Sequence, residues 1–320
     1  METLSDDLPS HHTEEEVDSF PNPRNFASGA SDESCPDCPE INEEELEWHE
    51  HVGEGHTSVV FRGSYKSKPV AIKQMVIPAQ TKVMEEVLAR EVAIMCLVRH
   101  PNIVSLLGVV MNTEPLQIVM EYCEGGSVFN LLHEALDFEL TWEQMMQMCT
   151  QTATAMNYLH KFDPCIIHRD LKSLNMLLQT PVCSSTDAPL VKVADMGLAR
   201  ALTGGEEALT LGVGTNRWMA PEMLGRMGYN EKIDVYSYGM VLYEVCCRKI
   251  PFKGANTMDI RSLVLSGARP PLSEVSPKCP AGMGDLITLC WAQIPSRRPT
   301  FQDILVLLVR LRKEGGVVSI

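Results

Sequence analysis

Residues able to do chemistry fall in short clusters along this chain. Gly53-Glu54-Gly55-His56-Thr57-Ser58-Val59-Val60 follows the spacing G-x-G-x-x-G-x-V, with Ser58 in place of the third glycine. Gly53 and Gly55 let a turn bring backbone N–H groups close to phosphate oxygens. Short glycine spacings recur by chance in turns, so this motif alone is weak. Lys73 adds weight, because it closes the apolar run Val70-Ala71-Ile72. A lysine ending an apolar strand is costly to bury without an anion beside it. That anion could be a phosphate, and Glu91 in the next helical stretch is well placed to fix the amine.

His168-Arg169-Asp170-Leu171-Lys172-Ser173-Leu174-Asn175 is far more specific. It combines a carboxylate to orient a hydroxyl, a lysine for a transferring phosphate and an asparagine for a metal. Further on, Val191-Lys192-Val193-Ala194 reads as a strand that runs into Asp195-Met196-Gly197. A carboxylate at a strand end followed by glycine can hold Mg²⁺, a hard ion that prefers oxygen ligands. Ala220-Pro221-Glu222 closes the set.

The elements that must position these groups change character along the chain. Residues 1–45 are rich in Asp, Glu, Ser and Pro and show no apolar period, which predicts an acidic disordered tail. Trp48–Tyr65 reads as a glycine-punctuated hairpin, and Val70–Met75, Ile103–Val110 and Leu116–Tyr122 as strands. Thr81–Leu97 has helical spacing. Gly125-Gly126 breaks the chain. Beyond it, Thr141–Leu159, Ile233–Cys247, Gly284–Ala292 and Phe301–Arg312 read as helices. A strand-rich first third followed by a helix-rich remainder predicts two lobes joined near Glu121–Gly126. The Met-rich Met145-Met146-Gln147-Met148 reads as core and surface of one helix. Thr180–Pro189 reads as a polar surface hairpin of no catalytic role.

These motifs, in this order, resemble the protein-kinase signature set, from about Trp48 to Arg312. Within it the chain is similar to the tyrosine-kinase-like group of serine/threonine kinases, which includes the Raf, mixed-lineage and plant MAP-kinase-kinase-kinase-like enzymes. Three features carry that likeness. Gly214-Thr215-Asn216-Arg217-Trp218-Met219-Ala220-Pro221-Glu222 resembles the group's G-T-x-x-W-M-A-P-E, Lys172 stands where tyrosine kinases carry an Ala/Arg pattern, and Pro295-Ser296-Arg297-Arg298-Pro299-Thr300 is shared.

The resemblance implies an α+β, bilobal kinase fold. A small β-rich N-lobe with one main helix would cover 46–122, and a larger, mostly helical C-lobe 123–313, with 314–320 as a short tail. It implies ATP and Mg²⁺ as cofactors and Ser/Thr hydroxyls of proteins as substrates. Val52, Gly53, Gly55, Val60, Ala71, Lys73, Met120, Glu121, Cys123 and Leu177 would surround ATP, with Met120 as gatekeeper and the backbones of Glu121 and Cys123 on adenine. Lys73 would hold the α- and β-phosphates and pair with Glu91. Asp170 would orient the substrate hydroxyl, Lys172 would steady the γ-phosphate, and Asn175 and Asp195 would bind Mg²⁺. Glu222 would pair with Arg298, Asp234 would anchor the catalytic-loop backbone, and Met95, Leu106, His168 and Met196 would stack into an apolar spine. Met196 replaces the usual Phe of D-F-G, and Met can fill the same slot. A pseudokinase that binds ATP without catalysis is the main rival reading. Lys73, Glu91, Asp170, Asn175 and Asp195 are all present and favour catalysis. Lys172 and Thr215 argue against a tyrosine or dual-specificity enzyme.

Composition bounds the partners. The net charge is −15, yet residues 1–50 hold one base against sixteen acids, which leaves 26 of each sign in 51–320. A neutral body with an acidic tail argues against nucleic acid or anionic membrane as main partner. No apolar run approaches the ~20 residues of a bilayer span. The first residues lack the basic start and apolar stretch of a signal peptide. Eleven cysteines without an export signal read as reduced thiols of a cytoplasmic protein. Cys35-Pro36-Asp37-Cys38 is the one C-x-x-C, and His11, His12, His49 and His51 could complete a zinc site on paper. With no second pair at zinc-finger spacing, chance pairing in the tail is the better reading.

The segment Asp195–Glu222 carries Thr203, Thr210 and Thr215. A phosphate there would bring about −1.5 to −2 charges and could bind Arg169 bidentately. Thr210, four residues before Gly214, ranks first. Mass spectrometry after incubation with Mg-ATP should find phosphate on Thr210, and Thr210→Ala should lose activity. Full activity in that variant, with no phosphate on the active wild type, refutes the switch.

Overall fold

The computed structural model describes residues 38–54, 58–75, 91–111, 113, 115–135, 139–201 and 215–315. Five antiparallel strands form the first lobe: β1 (Leu46–Glu54), β2 (Ser58–Tyr65), β3 (Lys68–Met75), β4 (Leu106–Val110) and β5 (Gln117–Glu121). Their spatial order is β1-β2-β3-β5-β4. Residues 91–97 form helix α1 beside the sheet. The part of the expected Thr81–Leu97 helix before Glu91 lies outside the described residues.

Cross-strand register divides the sheet into two faces. Lys73 stands opposite Val60 and Ile118, and Ala71 opposite Met120, so these residues share one face. Val70, Ile72 and Val119 point the other way and pack with Val110, Leu46 and Ile41 in a satellite core.

Ile41 corrects the expected tail. It is 2% exposed, and Glu40 bridges Val109 in parallel along the outer edge of β4. Val109 N donates to Pro39 O at 2.9 Å, and Ile41 N donates to Val109 O at 2.8 Å. Gly108 permits this approach, since a Cβ there would collide with Pro39 O and the Ile41 side chain. Asn42 then accepts from Glu44 N and starts a 3₁₀ turn that leads into β1. The ordered body therefore begins before residue 46. A single isoleucine provides the apolar anchor, and two backbone bonds cover an edge that would otherwise be open.

The second lobe is built on α3 (Trp142–His160) and α5 (Lys232–Cys247), with α2 (Val128–His133), α4 (Pro221–Leu224), α6 (Thr257–Leu265), α7 (Met283–Cys290) and α8 (Phe301–Gly315) around them. Thr141 and Gln144 cap α3 reciprocally in a capping box. Every residue from Ile233 to Cys246 is buried, so α5 is a central helix with no solvent face. Short strands β6 (Ile166–Ile167), β7 (Met176–Leu178), β8 (Val191–Val193) and β9 (Arg200–Ala201) carry the connections between the lobes. β7 pairs with β8, and β6 with β9. At the junction, Gly125 N bonds Leu178 O at 2.9 Å, and a Cβ on Gly125 would strike Thr180 O.

The loop between β7 and β8 is a surface hairpin with an unexpected fastening. It buries Val182, and Gln144, Gln147 and Gln151 of α3 donate to Ser184 O, Asp187 O and Pro189 O. Among the described residues no helix is long and apolar enough to cross a membrane.

Ile41→Ala should lower the unfolding free energy by about 2–5 kcal/mol. The readout is a lower urea midpoint at unchanged slope. Deleting residues 1–45, expected from the sequence to be harmless, should cost at least as much because it removes Ile41. An unchanged midpoint in both would show that the segment contributes nothing.

Candidate active site

The site begins with a buried carboxylate. Asp234, in the first turn of α5, is fully buried, and Oδ2 and Oδ1 accept from His168 N and Arg169 N, each at 2.8 Å. His160 Nε2 adds a contact to Oδ2 at 2.9 Å. Burial, the largest single influence, pushes the Asp234 carboxyl up, but the hydrogen bond from His160, the nearby His160 and His168 rings and the Arg169 N–H together hold it below its ordinary value. The same bonds hold Arg169 at φ +72°, a backbone conformation that side chains rarely adopt. The Arg169 guanidinium lies over the Tyr229 ring, 5.5 Å from its centroid. His168 is fully buried, contacts Ala194 O through Nε2 at 3.1 Å and accepts from Asp170 N through Nδ1 at 3.3 Å. It packs and orients backbone, as expected.

This frame presents the chemical residues. Lys172 Nζ meets Asp170 Oδ2 at 2.6 Å. Asn175 Nδ2 donates to Asp170 O at 2.9 Å and to Oδ2 at 3.0 Å. Asp170 Oδ1 is buried with no hydrogen-bond partner among the described residues. Burial raises the Asp170 carboxyl above its ordinary value, and Lys172 only partly opposes this. One oxygen of this carboxylate is therefore open to accept a proton or a hydrogen bond.

Lys73 joins the lobes. Its Nζ lies 2.7 Å from Glu91 Oε1 on α1 and 3.1 Å from Asp195 Oδ1. Burial disfavours charge on this ammonium, but Asp195 and Glu91 together outweigh it and raise the Lys73 pKa. Lys73 in turn holds the Asp195 carboxyl down at about 2. Asp195 sits at φ +64°, and its side chain is 45% exposed. The carboxylate is thus ionised and open on one side.

The residues expected to contact the nucleotide differ in exposure. Val60, Ala71 and Met120 lie on the Lys73 face of the sheet and are only half-buried. Leu177 is half-buried between Met176 and Leu178, which are fully buried. Val52 is exposed, Gly53 half-buried, and Gly55 lies outside the described residues. Cys123 keeps its side chain buried, which suits a backbone role. Thr203, Thr210 and Gly214 also lie outside the described residues.

The oxygen donors fit a hard cation. Asp195 is ionised, and the amide nitrogen of Asn175 is occupied by Asp170, which leaves its oxygen for a metal. No group of three or more His, Cys, Asp or Glu among the described residues could hold an ion alone. Phosphate oxygens would have to complete the shell, as is usual for Mg²⁺.

The family described as "Protein tyrosine and serine/threonine kinase" matches residues 46–308. This chain is a protein kinase of that family. It is 38% identical over 257 residues to "Probable serine/threonine-protein kinase drkD" of Dictyostelium discoideum, covering 80% of this chain and 19% of the relative. It is 37% identical over 278 residues to human "Mitogen-activated protein kinase kinase kinase 7", covering 86% of this chain and 43% of the relative. The chain thus spans less than half the length of these relatives.

The kinase fold also uses residues that sequence reasoning missed. Glu244, fully buried on α5, accepts from Trp218 Nε1 at 2.9 Å and contacts His133 Nε2 at 2.8 Å. It fixes the tryptophan of the W-M-A-P-E segment. Glu222 and Arg298 pair as expected, at 2.5 and 2.9 Å, with Arg298 also over the Tyr236 ring. The Glu121 side chain does more than expected: Oε1 accepts from Ser105 N at 2.7 Å and from Lys192 Nζ at 2.9 Å. This ties the lobe junction to β8, three residues before Asp195. Breaking a buried ion pair strands its partner. Lys192→Met should therefore lower stability by about 3 kcal/mol, measured by urea unfolding, and Glu121→Gln in the same background should recover part of it. No loss in Lys192→Met would show the pair to be idle.

Proposed function

We propose that this chain is an active protein serine/threonine kinase that transfers the γ-phosphoryl group of ATP to Ser or Thr hydroxyls of protein substrates. The observation that carries the reading is the simultaneous assembly of Lys73–Glu91, Lys73–Asp195 and Asp170–Lys172 around one cleft. A pseudokinase that had lost function would have no need to keep all of these charges buried and paired.

Lys73 would hold the α- and β-phosphates. The half-buried Val60, Ala71, Met120 and Leu177 would enclose adenine, and the backbones of Glu121 and Cys123 would read its edge. Asn175 Oδ1 and Asp195 would hold Mg²⁺, which when bound neutralises charge on the phosphates. Asp170 Oδ1 would accept the substrate hydroxyl proton or orient it, while Lys172 steadies the γ-phosphate. Positioning and charge neutralisation supply most of the rate in such reactions. The likeness to the human relative supports signalling of the MAP-kinase-kinase-kinase kind, and both relatives support Ser/Thr specificity, in a cytoplasmic setting where the cysteines stay mostly reduced.

Asp195→Asn should abolish phosphoryl transfer with the fold intact, because one anionic Mg²⁺ ligand becomes neutral. Asp170→Asn should lose about 10²–10⁴-fold in turnover. Purified protein with Mg-ATP and a degenerate peptide library tests both variants and shows whether Ser, Thr or Tyr is modified. Near-normal turnover in either variant sinks the assignment. The pH profile gives a further check. The Asp170 pKa is raised, so its ionised form disappears at higher pH than for an ordinary aspartate, whereas Asp195 stays ionised to about 2. The acid limb of kcat should therefore lie above 3.8, the ordinary aspartate value.

A further inference from the structure

Strand register leaves a notch on the Lys73 face of the sheet. Ala71 on β3 stands directly opposite Arg62 on β2 and Met120 on β5. Residues directly opposite point to one face, so the single methyl of Ala71 lies between two long side chains. In the next row of the same face, Lys73 stands between Val60 and Ile118. Lys73 thus bounds one end of the notch and Met120 one side.

A strut closes the other end. The Arg62 guanidinium lies over the Tyr122 ring, 5.5 Å from its centroid. Glu121 pairs with Val70, so the same register puts Tyr122 level with Pro69, past Ala71 on the side away from Lys73. Arg62 therefore reaches diagonally across β3. Glu50 on β1 orients the guanidinium by accepting from Nη1 at 3.1 Å. That ion pair is partly exposed, so it contributes geometry more than stability. Tyr122 is tied in turn to the helical lobe: Gln179 Nε2 donates to Tyr122 O at 3.4 Å, and Glu124 N donates to Gln179 O at 3.2 Å. Arg62 Nε is buried with no hydrogen-bond partner among the described residues. A buried donor without an acceptor is costly to keep, and a polar ligand over Ala71 would supply one.

We propose that Arg62 is a further nucleotide-positioning residue: stacked on Tyr122 and oriented by Glu50, it closes the base end of the site and slows nucleotide release. This role rests on the reading proposed above, in which Lys73 holds the phosphates and adenine lies against Ala71. A purine ring is flat and π-rich, which suits a floor of one methyl and a guanidinium at its rim. A nucleotide leaving past this end must part the guanidinium from the tyrosine ring. Because β2 and the lobe junction carry the two halves of the strut, its closure also links the sheet to the segment tied to the helical lobe.

The test uses the full chain loaded with the fluorescent N-methylanthraniloyl derivative of ADP and chased with excess ATP by stopped flow. Arg62→Ala should release the probe about two- to fivefold faster than wild type, the range of a partly exposed cation–π contact, at an unchanged urea midpoint. Tyr122→Phe keeps the ring and should keep the slow rate, whereas Tyr122→Ala should match Arg62→Ala. The double variant Arg62→Ala/Tyr122→Ala should be no faster than either single one, because both remove the same contact. Equal or slower release in Arg62→Ala would overturn the proposal, slower release showing that the side chain fills the notch. Additive effects in the double variant, or a lowered urea midpoint in Arg62→Ala, would overturn it as well, the latter by making the role structural. Failure of the wild type to bind the probe at all would overturn the nucleotide reading itself, and this role with it.

Discussion

A buried ammonium cannot stay charged without anions, and in this protein the anions come from both lobes. Lys73 on β3 takes Glu91 from α1 and Asp195 from the strand-end loop after β8. Removing one partner of a buried pair strands the other at a cost of several kcal/mol. The three elements are therefore held in one arrangement rather than in independent ones. That arrangement puts Asp195 beside the sheet face that bears Val60, Ala71 and Met120 along with Lys73. Charge pairing adds to an apolar core that is continuous across both lobes, from Met95, Leu106 and Ile118 to Met176, Val193 and Met196.

The helical lobe handles its own buried charges in the same way. α5 has no solvent face, yet it carries Asp234 and Glu244 at zero exposure. Each is satisfied by groups from elements that must be fixed: the catalytic-loop backbone for Asp234, Trp218 and His133 for Glu244. Glu222 and Arg298 complete a third such site near Tyr236. Buried acids on a rigid central helix act as pegs for loops that have little regular structure of their own. Such polar contacts are directional, so they fix positions as apolar packing alone would not.

The departures from the family pattern leave this electrostatic frame intact. Met196 is 2% exposed in the main core, where a flexible apolar side chain fills the slot of the usual aromatic. Ser58 is buried at the start of β2, opposite Met75, and so belongs to the strand rather than to the turn. The long hairpin after β7 is fastened by three glutamines of α3, which explains why the sequence tolerates it beside the lobe junction.

Local spacing was enough to identify the family's motifs. His168 to Asn175 fall within eight residues, and Lys73 and Asp195 close short apolar strands, so the motifs and their order could be read directly. The helices α3, α7 and α8 were legible for a similar reason, since periodicity is a property of neighbours, and α5 was legible as a long, almost unbroken apolar run. Pairs distant in sequence had no such signature. Glu121 and Lys192 stand 71 positions apart, and Glu244 and Trp218 26 apart, and nothing local marks them as partners. Ile41 is one apolar residue in a run of acids and carries no period, so composition assigned it to a disordered tail. Only the fold supplies Gly108, the edge of β4 and the face of Val70, Ile72 and Val119 that bury it. The motifs determined which chemistry this chain carries. The tertiary structure decided which side chains hold that chemistry in place, because burial and pairing arise only when distant segments meet.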